Sequence, residues 1–217
     1  MKKDFAVIFD LDGTLLNTDL LIRKSFEHVF HHYKPDYQIS EEEHLSFLGP
    51  ALKETFSRYF PEDMIDELID YYRDYNHQHH QTYVTIYPHI QETLKILKEK
   101  GYPLAVVTTK YRHAALIGLD LFALTPYFDM ILGMDDVENV KPHPEGILKV
   151  MQSLGCQKGL YIGDNVTDMK AGQNAGIYCA GVKWTPKGYQ AMQDLHPDLM
   201  IDDMLEIIEF IERKNEE

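Results

Sequence analysis

Phe5-Ala6-Val7-Ile8-Phe9 runs without a break into Asp10-Leu11-Asp12-Gly13-Thr14. A strand with one wet face alternates apolar and polar residues; a continuously apolar run is usual for a parallel sheet covered on both faces. The run ends abruptly in two acids and a glycine, which is turn chemistry. This stretch therefore predicts a buried strand whose carboxyl end presents two carboxylates.

Downstream of Pro88 the same kind of strand recurs, now alternating with helices. A helix over 90–100 stops at Gly101, and LAVVT follows to Thr108. A helix over 111–119 precedes a strand over 129–132. A helix over 145–154 stops at Gly155, and LYIG leads to Asp164. A helix over 167–175 stops at Gly176, followed by strands over 177–182 and 199–201 and a helix over 203–213. Glycine just past a helix end tolerates the left-handed backbone of that position. Such alternation predicts an α/β fold with a doubly wound parallel sheet.

Between the first strand and Pro88 the pattern is different. Ile22, Phe26, Val29, Phe30 and Tyr33 fall at helical steps, as do Ile65, Leu68, Ile69 and Tyr72, with shorter helical pieces over 41–48 and 51–60. The division expected is a core of residues 1–16 and 83–217 with an inserted small helical cap over 17–82. His28, His31 and His32 close one cap helix and His77, His79 and His80 follow another, where the helix dipole favours imidazole; no Glu or Cys completes a zinc set. Tyr71, Tyr72 and Tyr75 read as cap packing, and Lys24, Lys53 and Arg58 as candidates to face a substrate.

Composition narrows the function classes. With 44% hydrophobic and 26% charged residues among 217, the chain is globular in character. Lys and Arg number 21 against 35 acids, a net charge of −14, and there is no basic run. Nucleic acid is therefore not an expected partner. No apolar run approaches the ~20 residues that span a bilayer, so no membrane is expected either. The early acids argue against a signal peptide, and two cysteines cannot form a disulfide framework, which fits a cytoplasmic setting. No obligate protein partner is evident.

Ligands of open α/β sheets bind outside the carboxyl ends of the strands. The residues leaving the strands here are Asp10 and Asp12, Thr108 and Thr109, Asp135 and Asp136, and Gly163-Asp164. Asp10 and Asp12, two apart, project to one side. Carboxylates this close repel unless a cation joins them, and Mg2+ is a hard, oxygen-seeking candidate. With that charge shared, one carboxylate can attack phosphorus while the other moves a proton at the leaving oxygen. Asp164 can complete the metal set, and Asp168, one helical turn on, can bind a metal water or Lys141. Thr108 can donate its hydroxyl, and Thr109 its amide, to a phosphoryl oxygen. Lys141, clamped in Val140-Lys141-Pro142-His143-Pro144, is placed to offset phosphate charge. Each has a plainer alternative: turn acids, a helix cap, a solubilising lysine. The acidic pairs recurring at two strand ends favour a metal and phosphate site.

FDLDGTLLNT (9–18), VVTTK (106–110), VKPHPEGI (140–147) and GDNVTDMKAGQNAG (163–176) resemble, in order, the four motifs of haloacid dehalogenase (HAD) superfamily phosphatases. That resemblance implies a HAD-like Rossmannoid core and assigns Asp10 as nucleophile and Asp12 as acid/base. It gives Asp12 a backbone contact to Mg2+, Thr108, Thr109 and Lys141 the phosphoryl group, and Asp10, Asp164 and Asp168 the metal. Within the superfamily the chain is similar to the phosphoglycolate phosphatase-like group, and inside it to bacterial inorganic pyrophosphatases of the PpaX type. The latter likeness rests on Leu15–Thr18, Phe47–Pro50, His79-His80, Tyr83–Thr85, Val107–Lys110 and Gly163–Asn165. The substrate implied is pyrophosphate or a small phosphorylated molecule, phosphoglycolate included. Two rivals fit less well. β-Phosphoglucomutases carry Glu-Asp where this chain has Gly163-Asp164. Phospho-receiver modules place their acceptor at a mid-chain strand end, occupied here by Thr108. GxxxxGK[ST] and GxGxxG are both absent.

Overall fold

All five residues of the opening strand, β1 (Phe5–Phe9), are fully buried. A computed structural model describes residues 3–216 and places β1 inside a six-stranded, wholly parallel sheet. Its other strands are β4 (Leu104–Val107), β5 (Met130–Leu132), β6 (Lys158–Gly163), β7 (Tyr178–Val182) and β8 (Leu199–Ile201). The order is β5-β4-β1-β6-β7-β8. The chain moves outward from β1 through β4 to β5, then crosses back to β6 on the other side. β1 thus stands at the reversal of strand order, where the carboxyl edge opens a crevice. Pairing keeps the strands level there, Phe9 facing Val106 on one side and Ile162 on the other.

Helices α5 (Ile90–Glu99), α6 (Arg112–Leu121), α7 (Glu145–Leu154), α8 (Val166–Asn174), the short α9 (Gln190–Gln193) and α10 (Glu206–Glu216) complete this unit. The pleat of β1 sorts its side chains. Ala6 and Ile8 join Ala105, Val107, Ile147, Val150 and Tyr161 in one apolar cluster, built on α7. Phe5 turns the other way, against Tyr102 and Tyr178, and Tyr178 meets Phe210 of α10. The doubly wound sheet expected from the sequence is the fold observed. Cys156 and Cys179 are buried thiols not joined by a disulfide.

Residues 17–85 form a second compact unit, and 1–16 with 86–217 the first. A two-stranded ribbon of β2 (Leu16–Asn17) and β3 (Thr85–Ile86) carries both chain crossings. The helical unit holds α1 (Asp19–Tyr33), α2 (Glu41–Phe47), α3 (Leu52–Phe56) and α4 (Ile65–Tyr83). Phe26, Val29, Phe30, Phe47, Phe56, Phe60, Leu68 and Tyr72 make its core. α4 runs on to Tyr83, well past the apolar pattern that ends at Tyr72, so His77, His79 and His80 lie on it and do not follow it. The buried stripe continues through Asn76 and His80, polar residues that hydrophobic periodicity does not register. Asn76 Nδ2 donates to Ser25 Oγ at 3.2 Å, across the α1–α4 seam.

Helix α10 begins three residues later than its pattern suggested. Asp203 Oδ1 accepts the Leu205 amide and Glu206 accepts the Asp202 and Asp203 amides, so 202–205 form the entry turn. Among the described residues no helix is long and apolar enough to cross a membrane.

Candidate active site

Asp10 leaves β1 with its amide still donating to the Ile162 carbonyl at 2.8 Å, so the sheet itself fixes its backbone. Its carboxylate is buried. Lys141 Nζ donates to Asp10 Oδ1 at 2.7 Å and to Asp168 Oδ1 at 2.6 Å, bridging residues that lie far apart in the chain. Only 6% of the Lys141 side chain is exposed, and its ammonium lies 5.7 Å from the centre of the Tyr161 ring. Burial pushes the Asp10 carboxyl up to about 7, against the lowering influence of Lys141. The same two carboxylates hold the Lys141 ammonium well above its ordinary range, outweighing the effect of its own burial.

Asp168 is fully buried and does two jobs. Its Oδ2 accepts the Asn165 amide at 3.0 Å in a capping box at the start of α8, while Oδ1 meets Lys141. The capping role and the site role coexist on one carboxylate. A Cβ at Gly163 would lie 2.3 Å from that of Asp168, so only glycine lets the helix start come this close to β6.

Asp164 follows β6, buried, with its carboxyl pushed up to about 8 by burial, Lys187 being the largest opposing influence. Asp10, Asp164 and Asp168 each offer an oxygen within 4.8 Å of the others, which among the described residues is the one such group able to hold a metal ion. An all-carboxylate donor set suits a hard cation such as Mg2+. Burial without enough countercharge is relieved when such an ion joins the cluster. The residues present thus fit the group.

Asp12 lies apart from this cluster. Its carboxylate is a quarter exposed and takes a bond from Lys110 Nζ at 3.0 Å. Gly13, at φ +80°, turns the chain beneath Asp164: a Cβ there would meet Asp164 Oδ2 at 2.4 Å. Thr108, at the end of β4, is buried, and its Oγ1 accepts the Lys110 amide at 3.2 Å. The hydroxyl proton is then aimed elsewhere and can serve a phosphoryl oxygen. Thr109 sits in the following bend, three residues ahead of α6. Asp135 and Asp136 serve as caps, Asp135 taking the Arg112 amide at the start of α6, 23 positions away, and Asp136 the nearby Gly133 amide.

Two groups of residues here escape sequence reading. Lys110 stands in a stretch that was singled out, but a loop lysine gives no sign of a partner 98 positions away. The loop after β7 is the larger omission. Trp184 Nε1 donates to the Gly13 carbonyl at 3.1 Å, Thr185 Oγ1 lies 3.4 Å from Asp164 Oδ2, and Lys187 Nζ lies 4.0 Å from that same oxygen. The signal that finds it is the strand-end rule applied to β7, whose exit, Trp184-Thr185-Pro186-Lys187-Gly188, is polar turn chemistry.

In the helical unit, His28 stacks on Tyr71 and Tyr75 at 4.7 and 4.3 Å, and His79 on Tyr75 at 4.0 Å. Lys24 pairs with Glu27 and Arg58 with Glu54, while Lys53 is exposed.

Residues 7–182, most of the chain, match the family model of haloacid dehalogenase-like hydrolases. The chain is 44% identical over 208 residues to pyrophosphatase PpaX of Bacillus pumilus, covering 95% of each. The PpaX of a Bacillus cereus strain matches at 44% over 212 residues, 97% of each. Among solved structures, a haloacid dehalogenase-like family hydrolase from Streptococcus pneumoniae superposes with a TM-score of 0.84 at 25% identity, covering 94% of this chain and 97% of that one. A predicted phosphatase from Clostridium acetobutylicum superposes at 0.82 with 28% identity over the whole of both. Carboxylates leaving β1 and β6, a lysine buried between two of them, and a family match that spans all of these lead to one assignment: this enzyme belongs to the haloacid dehalogenase-like hydrolase family.

Proposed function

We propose that the chain is a Mg2+-dependent phosphohydrolase that works through an aspartyl phosphate on Asp10 and that its substrate is inorganic pyrophosphate. The observation that carries the chemistry is the buried Asp10 carboxylate, held at 2.7 Å by Lys141 at the end of the central strand. The substrate is suggested by relatives named pyrophosphatase that are 44% identical over nearly the full length of both chains.

Asp10, Asp164 and Asp168 would hold the cation, with the Asp12 carbonyl as a further donor. Bound there, Mg2+ supplies positive charge that offsets the negative charge on the phosphoryl oxygens. Asp10 attacks phosphorus, and the bond to the leaving oxygen breaks as Asp12 gives that oxygen a proton. Asp12, now a carboxylate, takes a proton from water, whose oxygen attacks the aspartyl phosphate and restores Asp10. Lys141 opposes the burial that favours a proton on Asp10 and compensates charge on the phosphoryl group; the Thr108 hydroxyl and Thr109 amide donate to its oxygens. Lys110 orients the Asp12 carboxylate.

A screen of phosphate release over pyrophosphate, phosphoglycolate, sugar phosphates and nucleotides tests the reading. A kcat/KM for pyrophosphate about 100-fold above the rest supports it. A peak at phosphoglycolate, or a flat profile, retires pyrophosphate and leaves the chemistry. Asp10→Asn is expected to lower turnover by about 10^3-fold or more with circular dichroism unchanged, and residual activity near the native level removes Asp10 as nucleophile.

A further inference from the structure

Tyr161, in the middle of β6, is fully buried in the apolar cluster it forms with Ala6, Ile8, Ala105, Val107 and Val150. A phenylalanine would fill that space, and a hydroxyl buried there must find a partner. Its oxygen does. Tyr161 Oη donates to the Val107 carbonyl at 2.8 Å and lies 3.4 Å from Asp168 Oδ1. A phenol has one proton to give. The carbonyl is much the nearer acceptor, and Asp168 Oδ1 already takes Lys141 at 2.6 Å, so the proton goes to Val107.

That bond falls on the peptide that delivers Thr108. The last β1–β4 pair is Phe9 with Val106, one residue short of this carbonyl. On the other side of β4, the Thr108 amide donates to the Leu132 carbonyl at 3.1 Å. The Val107 carbonyl and the Thr108 amide belong to one planar unit. The Tyr161 hydroxyl and Leu132 therefore hold that plane from its two edges. Thr108 itself is buried, and its Oγ1 accepts the Lys110 amide at 3.2 Å. With the plane held and Oγ1 anchored, the direction of the Thr108 hydroxyl proton is set before any ligand arrives.

We propose that Tyr161 is a positioning residue for phosphoryl transfer, acting through the Val107–Thr108 peptide to aim the Thr108 hydroxyl at the transferred group. Tyr161 touches no substrate; it acts from inside the sheet. The inference deepens the proposed phosphohydrolase reading and rests on it. It concerns the transferred phosphoryl group alone, so its effect is the same for every leaving group. A donor aimed slightly wrong loses most where negative charge builds in the transition state, so the cost falls on kcat ahead of KM.

The test uses the full-length enzyme with Mg2+ and whichever of pyrophosphate, phosphoglycolate and p-nitrophenyl phosphate the wild type hydrolyses. Tyr161→Phe keeps the ring and removes the oxygen. Its kcat is expected to fall by about 10-fold, equally on each substrate, with KM changed by less than about 3-fold. The Mg2+ midpoint should move by less than about 3-fold, because the hydroxyl stands 3.4 Å from only one of the three clustered carboxylates. Tyr161→Met, which fills the apolar cluster without a hydroxyl, is a second route to the same loss in kcat. In a Thr108→Val background, removing the Tyr161 hydroxyl should cost less than about 2-fold in kcat, because the group it aims is gone. A native kcat with a lowered Tm overturns the inference and leaves the hydroxyl as a support for the fold. A full-sized loss that persists in Thr108→Val, or one matched by an equal loss of Mg2+ affinity, overturns it and routes the effect through Asp168. A loss confined to one leaving group overturns it as well. A wild type that hydrolyses none of the three overturns the phosphohydrolase reading itself, which every other outcome leaves standing.

Discussion

Lys141 and Asp10 are 131 positions apart in the chain and 2.7 Å apart in space, and the same ammonium reaches Asp168 at 2.6 Å. One buried cation thus serves two buried carboxylates from β1 and α8. Breaking a buried pair by removing one partner is costly because the other charge stays behind, typically about 3–5 kcal/mol. Lys141→Met is therefore expected to lower stability by an amount of that order at pH 8. The loss should shrink toward pH 5, where Asp10 can take up a proton. Denaturant melts at the two pH values check this, and equal losses at both contradict the buried-charge account. Under the proposed mechanism kcat/KM should fall by about 100-fold or more, since the Asp10 nucleophile and the phosphoryl group would both lose their countercharge.

The metal-free enzyme should lose stability as pH rises through neutrality. Burial lifts Asp10 to about 7 and Asp164 to about 8 from an ordinary value of 3.8. Between these values the folded chain holds protons that the unfolded chain has released, so the contribution is full below about 4 and is lost as pH climbs through 7 to 8. Glu43 and Glu145 run the other way: both are held down to about 2, by Tyr37 and by Lys149 first among their partners. Their contribution is present above the ordinary value of 4.5 and is lost as pH falls toward 2. Thermal melts in EDTA should show a maximum on the acid side of neutrality. Mg2+ should flatten the alkaline fall, because the ion neutralises the carboxylates that burial penalises. A Mg2+ effect of equal size at pH 5 and pH 8 contradicts this assignment.

Gly13→Ala should damage metal binding ahead of the fold. The residue sits at φ +80°, where a side chain is strained by about 1 kcal/mol or more. Its Cβ would fall 2.4 Å from Asp164 Oδ2, so the carboxylate must move. The expected result is a Mg2+ midpoint raised by about 10-fold or more with a loss of only a few degrees in Tm. The Trp184 indole, bonded to the Gly13 carbonyl, reports both by fluorescence. An unchanged midpoint would show that Asp164 has room to yield without cost.

The strands and the residues leaving them were legible in the sequence because burial on both faces writes itself as an unbroken apolar run, and β1, β4 and β6 each end in a polar residue that cannot continue it. The tail of α4 was not legible, since its buried stripe passes through Asn76 and His80, and Asn76 is accommodated by Ser25 from another helix. Capping misled in the same way at α10, where Asp203 and Glu206 spend their carboxylates on the entry turn. Asp168 shows why the site resisted a choice from sequence: the acid that caps α8 is also the acid beside Lys141, so the two readings were never exclusive. Lys110 and Lys187 remained invisible because their partners are set by which strands lie side by side, which local pattern does not encode.

Glu145 supplies a last prediction, for the loop that delivers Lys141. Its Oε1 accepts the Glu138 amide at 2.9 Å and pairs with Lys149 at 2.8 Å, while Oε2 accepts the Asn139 amide and side chain at 2.9 and 3.0 Å. Lys141 comes two residues after Asn139, so the first residue of α7 ties down the approach to the buried lysine. Glu145→Ala releases three hydrogen bonds and the Lys149 pair at a partly exposed site, where the cost to global stability is small, a Tm change within a few degrees. The effect should appear in phosphate handling instead. KM is expected to rise by about 5- to 10-fold with a smaller change in the Mg2+ midpoint, because in the proposed reaction the lysine meets the phosphoryl group directly and touches the metal set only through Asp10 and Asp168. Glu145→Gln keeps one acceptor oxygen and should fall between wild type and alanine. A Glu145→Ala enzyme with native KM would mean that Asp10 and Asp168 alone suffice to hold Lys141 in place.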